Sequence, residues 1–266
     1  MKRQRLNWQE KVKKNVRKIM DFEHVKAVFE EYLNGYDREN DKVKLKIVHT
    51  YGVIRCSEEI GRRMGLQAED MELAKLIALL HDIGRFEQLK RFNSFEADTM
   101  DHATYGVKVL FEEGMIRQFI EEDTWDDVIR TAIAKHSDYE LTGITDERTL
   151  LHARLIRDAD KLDNCRVKLE DAMETLLDLS ADEVGKYAIS PKVREDAFAG
   201  KCICSKDRRT PMDYWVSYVA YFYDLNFQET LDIVAEEQYV KRIIGRVPYT
   251  NEQTKKTMEE LERQLT

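Results

Sequence analysis

A chain of 266 residues can bury a sizeable core, and with 3 Pro and 11 Gly against 35% charged residues its composition favours amphipathic helices over a strand-and-turn architecture. A net charge of -8 argues against general affinity for long nucleic acids, whose phosphates need a concentrated basic surface. No apolar run approaches the roughly 18 residues a spanning helix needs, and the N-terminus lacks the apolar stretch of a secretory signal, so the expectation is a cytoplasmic protein with no membrane partner.

The first twenty residues, "MKRQRLNWQEKVKKNVRKIM", hold eight basic side chains and one acidic, with Val12, Val16 and Ile19 at helical spacing. They predict a solvated basic helix opening an N-terminal helical segment, 1–40. From Asp41, Leu45, Val48, Gly52, Val53, Cys56 and Ile60 recur at three- and four-residue steps, which predicts a helix with one buried face that includes His49. Leu73, Leu76, Ile77 and Leu80 mark a second helix, with His81 inward and Gly84 at its expected end. The stretch "RFEQLKRFNSFEADTMDH" has no sustained period and reads as a loop of about fifteen residues. A third helix starts near Asp101, with His102 on the side of Tyr105, Gly106, Val109 and Leu110. A fourth, through Trp125, Val128, Ile129, Ala132 and Ile133, has His136 as its next inward position. In the fifth, "TLLHARLIRDADKLDNCRV", the carboxylate of Asp160 lies on or beside the face of Leu155, Ile156, Ala159 and Leu162. Past residue 180 an aromatic stripe from Tyr214 to Tyr223, with Trp215, Tyr218 and Phe222, reads mainly as core packing. Cys56, Cys165, Cys202 and Cys204 are too scattered for a disulfide framework and are expected as free thiols.

Four histidines on the apolar stripes of four helices, with Asp82 and Asp160 at or next to such stripes, form the signal. A lone histidine on an apolar face is ordinarily a core residue bonded to a carbonyl. Six polar groups aimed at one interior need a shared partner, and no lysine or arginine is expected at those inward positions. A divalent cation, or two, satisfies imidazole and carboxylate together, and ligands without thiolate suit Fe, Mn, Co, Ni or Zn. The reading is a metal centre in a helical bundle. His24 is assigned to the surface or to helix packing, and His152 to packing.

A histidine, an adjacent His-Asp pair and a distant aspartate resemble the HD-domain superfamily of metal-dependent phosphohydrolases, over about residues 40 to 170. "HDIGRFEQ", "DHATYGVKVL" and "RDADKLD" look like a bacterial subgroup of it. The resemblance implies an all-α HD bundle over 41–170 with a helical C-terminal extension, 171–266, packed on it. It also implies two ions bridged by Asp82, the first held with His49, His81 and Asp160, the second with His102 and His136. The cyclic-dinucleotide-cleaving branch has a further histidine where Ser137 stands, and a Gly-Tyr-Pro signature absent here.

The function expected from ligands and resemblance is hydrolysis of a small-molecule phosphoester or nucleotide by a metal-activated water, with homodimerisation left open. Catalytic roles fall to Asp82, and to Arg85 and Lys161 as phosphate contacts. The alternative is a mixed-valence di-iron oxygenase of the same superfamily acting on a small polar substrate, and a third reading is a nucleotide-sensing module without turnover.

Overall fold

The computed structural model describes residues 20–96 and 98–266; the basic helix expected over the first twenty residues lies outside them, Met20 apart. Among the described residues every regular element is a helix: α1 (Phe22–Leu33), α2 (Asp41–Met64), α3 (Ala68–Leu80), α4 (Ile83–Phe92), α5 (His102–Val107), α6 (Ile116–Phe119), α7 (Asp126–Lys135), α8 (Glu147–Glu170), α9 (Met173–Leu177), α10 (Ala181–Val184), α11 (Pro191–Phe198), α12 (Pro211–Ala220), α13 (Gln228–Glu236), α14 (Tyr239–Ile244) and α15 (Glu252–Leu265). The all-α class expected from composition is the class observed. No described helix is long and apolar enough to cross a membrane.

Two long helices, α2 and α8, form the spine and pack along each other, with α3 and α7 against them. Each starts on a side-chain cap: Asn40 accepts from the amides of Lys42 and Val43, and Asp146 from Thr149. α2 ends at Gly65, whose φ of 71° is left-handed and carries no penalty in glycine. The stripe expected on α2 is buried at Leu45, His49, Gly52, Val53 and Ile60, but Val48 is 51% exposed and lies off it. The helices after residue 180 attach through α13 and α14, which both touch α8, while α15 closes on α11 and α14.

Two expectations are corrected at the His-Asp pair. The chain does not run into a fifteen-residue loop: α3 stops at Leu80, His81 and Asp82 form a turn, and α4 follows at Ile83. Only residues 93–101 join α4 to α5. The break at Asp82, with φ −105° and ψ 19°, resets the helical phase, so the apolar spacing of Phe86 and Leu89 does not continue that of α3. Gly84 is therefore not a helix end but lies in the first turn of α4. There a Cβ would stand 2.2 Å from the carbonyl oxygen of His102, so the missing side chain lets α5 approach.

Candidate metal centre

Five helices deliver their polar residues to one place. His49 comes from the middle of α2, His81 and Asp82 from the turn after α3, His102 from the first residue of α5, His136 from the end of α7 and Asp160 from the middle of α8. All are buried except Asp160, which is partly exposed to a cleft of about 970 Å³. The four imidazoles form an edge-to-face chain, with centroids 5.8 Å apart from His49 to His81, 5.2 Å from His81 to His136 and 5.1 Å from His136 to His102.

Hydrogen bonds on the far side of each ring decide which nitrogen points inward. His81 Nδ1 lies 2.8 Å from the carbonyl of Ala78, and His136 Nδ1 lies 2.7 Å from that of Ile133. A carbonyl can only accept, so both rings carry the proton on Nδ1 and turn Nε2 to the cluster as a lone-pair donor. His49 Nδ1 lies 2.8 Å from Asp163 Oδ2, while its Nε2 lies 2.9 Å from Asp160 Oδ1. Asp163 is in turn gripped by Arg166, at 2.8 Å from Nε and 2.9 Å from Nη2. A carboxylate behind a histidine fixes the ring and raises its basicity.

At the centre, Asp82 Oδ1 lies 3.1 Å from His102 Nε2 and 3.6 Å from His136 Nε2, and Oδ2 lies 3.5 Å from His81 Nε2. Two of these atoms, His81 Nε2 and Asp82 Oδ1, are buried without any hydrogen-bond partner. Orphaned buried donors and acceptors are rare and costly, and a lone-pair nitrogen beside a carboxylate oxygen fits a cation between them. Two triads place one ligand atom from each residue within 4.8 Å of the others: His49, His81 and Asp160, and His81, Asp82 and His136. His102 joins through Asp82 and through its Nε2, 3.1 Å from His136 Nε2.

Electrostatics keep both carboxylates ionised and His102 neutral, while at His81 burial opposes protonation but the charges of Asp82 and Asp160 outweigh it and raise the pKa. Burial opposes ionisation of Asp82, but Lys46, His81 and Arg85 outweigh it and hold the carboxyl well below the ordinary range. Burial likewise opposes ionisation of Asp160, and the hydrogen bond and charge of His49 overcome it, again lowering the pKa. Burial and the neighbouring Arg85 push His102 down to about 3, so this ring is neutral near pH 7.

The absence of inward cations expected from sequence does not hold. Lys46, one turn before His49, is 8% exposed and ion-pairs with Asp82 Oδ2. Arg157 and Lys168 are buried on α8 as well. Long aliphatic stems let such residues lie along an apolar face while the charged head reaches a polar centre. Asp163 was missed as well. The signal lay in Gly52, where a Cβ would stand 1.9 Å from Asp163 Oδ1, so that stripe position is empty to admit the carboxylate.

Arg85 is at the cluster, with Nη2 3.0 Å from His102 Nε2 and Nε 3.7 Å from Asp82 Oδ1. Its Nη1 donates to Gln88 Oε1 at 2.6 Å, and Gln88 Nε2 donates to the carbonyl of Glu96 and to Thr99 Oγ1, both at 2.8 Å, which ties down the 93–101 connection. Lys161 lines the same cleft but donates to Asp224 Oδ2 at 2.6 Å, a carboxylate shared with Arg157 Nη2 at 2.6 Å. Arg157 Nη1 donates to the carbonyls of Lys135 and His136 at 3.2 Å and of Asp138 at 2.6 Å, holding the end of α7 that carries His136. His152 and His24 stand outside the cluster: His152 Nε2 pairs with Asp70 Oδ1 at 3.0 Å, and His24 Nε2 lies 2.9 Å from the carbonyl of Gln118. The four cysteines are free.

The aromatic stripe divides. Met212, Trp215, Val216, Val219 and Phe222 are core, while Tyr214, Tyr218 and Tyr221 line the cleft. α12 ends at Ala220, and Tyr221–Asp224 is a tighter 3-10 turn.

A bundle of facing helices that gathers four imidazoles and two carboxylates around orphaned ligand atoms defines an all-α protein with the donor set of a metal site. Residues 47–165, a segment that holds all six, match the family model described as HD domain, so this segment is similar to the HD-domain superfamily. That family binds divalent metals and is one of metal-dependent hydrolases. Comparison with curated proteins gives no match, and neither does comparison with solved structures.

Proposed function

We propose that the protein hydrolyses a phosphoester of a nucleotide or another small molecule at a binuclear centre bridged by Asp82. The observation that carries the reading is the pair of orphaned ligand atoms, His81 Nε2 and Asp82 Oδ1, buried at the floor of a cleft that also presents Arg85 and Lys161. His49, His81, Asp82 and Asp160 would hold one ion, and Asp82, His102 and His136 the other. Bound divalent ions supply positive charge for the phosphoryl oxygens and lower the pKa of a coordinated water to about 7.

The chain's own groups do the rest. The carbonyls of Ala78 and Ile133 and the carboxylate of Asp163 fix the orientation of His81, His136 and His49, so the site is preorganised before substrate arrives. Arg85 stands beside Asp82 with a planar fork suited to two phosphoryl oxygens. Lys161 adds a cation farther along the cleft, its charge shared with Asp224.

The test is turnover of phosphomonoesters, phosphodiesters and nucleotides by protein loaded in turn with Fe, Mn, Co, Ni or Zn. Metal-dependent cleavage of a phosphoester bond, abolished in Asp82→Asn, supports the reading. Activity unchanged by Asp82→Ala sinks the site, and substrate-dependent oxygen uptake by iron-loaded protein without phosphoester cleavage replaces the hydrolase with the oxygenase.

A further inference from the structure

One wall of the cleft is not used by the chemistry above. Asp160, Asn164 and Lys168 follow each other at four-residue steps on α8, so one face of that helix leads from the metal ligands along the cleft. Asn164 Nδ2 donates to Asp160 Oδ1 at 2.9 Å, and Lys168 Nζ lies 3.4 Å from Asn164 Oδ1. Lys168 is 6% exposed, and apart from that long contact its ammonium has, among the described residues, only the ring of Tyr218, whose centroid is 4.0 Å away. One turn back on α12, the ring of Tyr214 carries the guanidinium of Arg208 at 4.3 Å, and Arg208 Nε donates to the carbonyl of Ser205 at 3.3 Å.

The other cations named in the cleft have carboxylate partners: Lys46 has Asp82, while Arg157 and Lys161 share Asp224. Lys168 and Arg208 form no ion pair with a described residue. Asp160 and Asp171 act on Lys168 through space without forming an ion pair, and Glu96, on the same wall, accepts from Tyr214 Oη at 3.2 Å. Keeping a buried ammonium without a counter-charge is costly, and burial pushes Lys168 down to about 8, still cationic at neutral pH. In a chain of net charge -8, two such cations along one tyrosine-faced wall describe a place for an anion brought from outside.

We propose that Lys168 and Arg208, held one turn apart by Tyr218 and Tyr214, form a seat for a second phosphate group, so that the substrate is a phosphoester with another phosphate beyond the scissile one. Because Lys168 Nζ reaches back to Asn164, the seat begins roughly one helical turn, about 5.4 Å, past Asp160. Calling the occupant substrate rests on the hydrolase reading, whereas the seat itself does not.

Equilibrium dialysis of the metal-loaded full chain against radiolabelled inorganic phosphate tests it, with metal content measured in parallel. Wild type is expected to bind two equivalents, one at the metal centre and one at the seat. Lys168→Gln and Arg208→Gln should each weaken the second equivalent at least tenfold while leaving metal content and the first equivalent unchanged. Arg208 is half-buried at the cleft, so its variant reports even if the Lys168 variant does not fold. A single wild-type equivalent that Lys168→Gln and Arg208→Gln leave unchanged, or two equivalents of wild-type affinity in Arg208→Gln, overturns the seat. Loss of the second equivalent in the variants with no phosphoester turned over keeps the seat and removes the hydrolase. Turnover by a wild type whose single equivalent both variants leave unchanged does the reverse.

Discussion

Replacing Asp163 by asparagine isolates the group behind His49. The carboxylate sits 2.8 Å from His49 Nδ1 and receives the fork of Arg166, and although burial opposes its ionisation, those two partners hold its pKa below the ordinary range. Asparagine keeps the volume but removes the charge, so the imidazole loses basicity at Nε2, the atom that faces Asp160. Losing a carboxylate that orients a metal-binding histidine lowers metal affinity about 10- to 100-fold. At about 1.4 kcal/mol per tenfold, that is about 1.4–2.8 kcal/mol. The assay is competition for the ion with a chelator of known affinity, alongside thermal unfolding of both proteins. Gly52→Ala should reproduce the loss by another route, since its new Cβ would stand 1.9 Å from Asp163 Oδ1 and force the carboxylate away. Metal affinity within twofold of wild type in folded Asp163→Asn refutes the reasoning.

Lys46→Met leaves Asp82 buried without its ion-pair partner, a change that costs about 3–5 kcal/mol when a buried pair is broken from one side. Unfolding measured in chelator should show that loss, and loading with metal should recover most of it; equal losses in both states contradict the placement of Asp82 against the ions. Gly84→Ala should separate α4 from α5, because its Cβ meets the His102 carbonyl at 2.2 Å, with an overpacking cost of about 1–3 kcal/mol and reduced metal content. Burial pushes His152 below its ordinary 6.5 despite the pull of Asp70, so the native chain takes up this proton less readily than the unfolded one. Stability is therefore lost as pH falls below about 6.5, and in His152→Gln the slope of stability against pH between 6.5 and 5 should be shallower by up to one proton. Identical slopes by denaturant unfolding would contradict it.

Helical phase carried much of the site in the sequence. His49, His102 and His136 each follow an apolar stripe, and those stripes are the buried faces of α2, α5 and α7. Phase failed where the chain changes direction: the turn at His81 and Asp82 hides α4, and Gly84 resembles a helix end although it serves a close approach of backbones. It failed again for charged residues with long stems. Lys46 and Lys168 read as solvent-facing because residue type says so, yet their heads reach the cleft from buried stems. Asp163 was hidden by its neighbour, since "RDADKLD" offers several carboxylates and only packing against Gly52 tells which one supports His49. The tyrosine stripe serves two surfaces at once, and one-dimensional spacing cannot divide Trp215 from Tyr218 until α12 is seen lying between core and cleft.

Elemental analysis of anaerobically purified protein, repeated after reconstitution, bears most directly on the central claim that Asp82 bridges two ions. The account predicts close to two transition-metal ions per chain in wild type and loss of both in Asp82→Asn with the fold retained. Wild-type protein that carries no such metal and takes none up, or an Asp82 variant that keeps both ions, would contradict it.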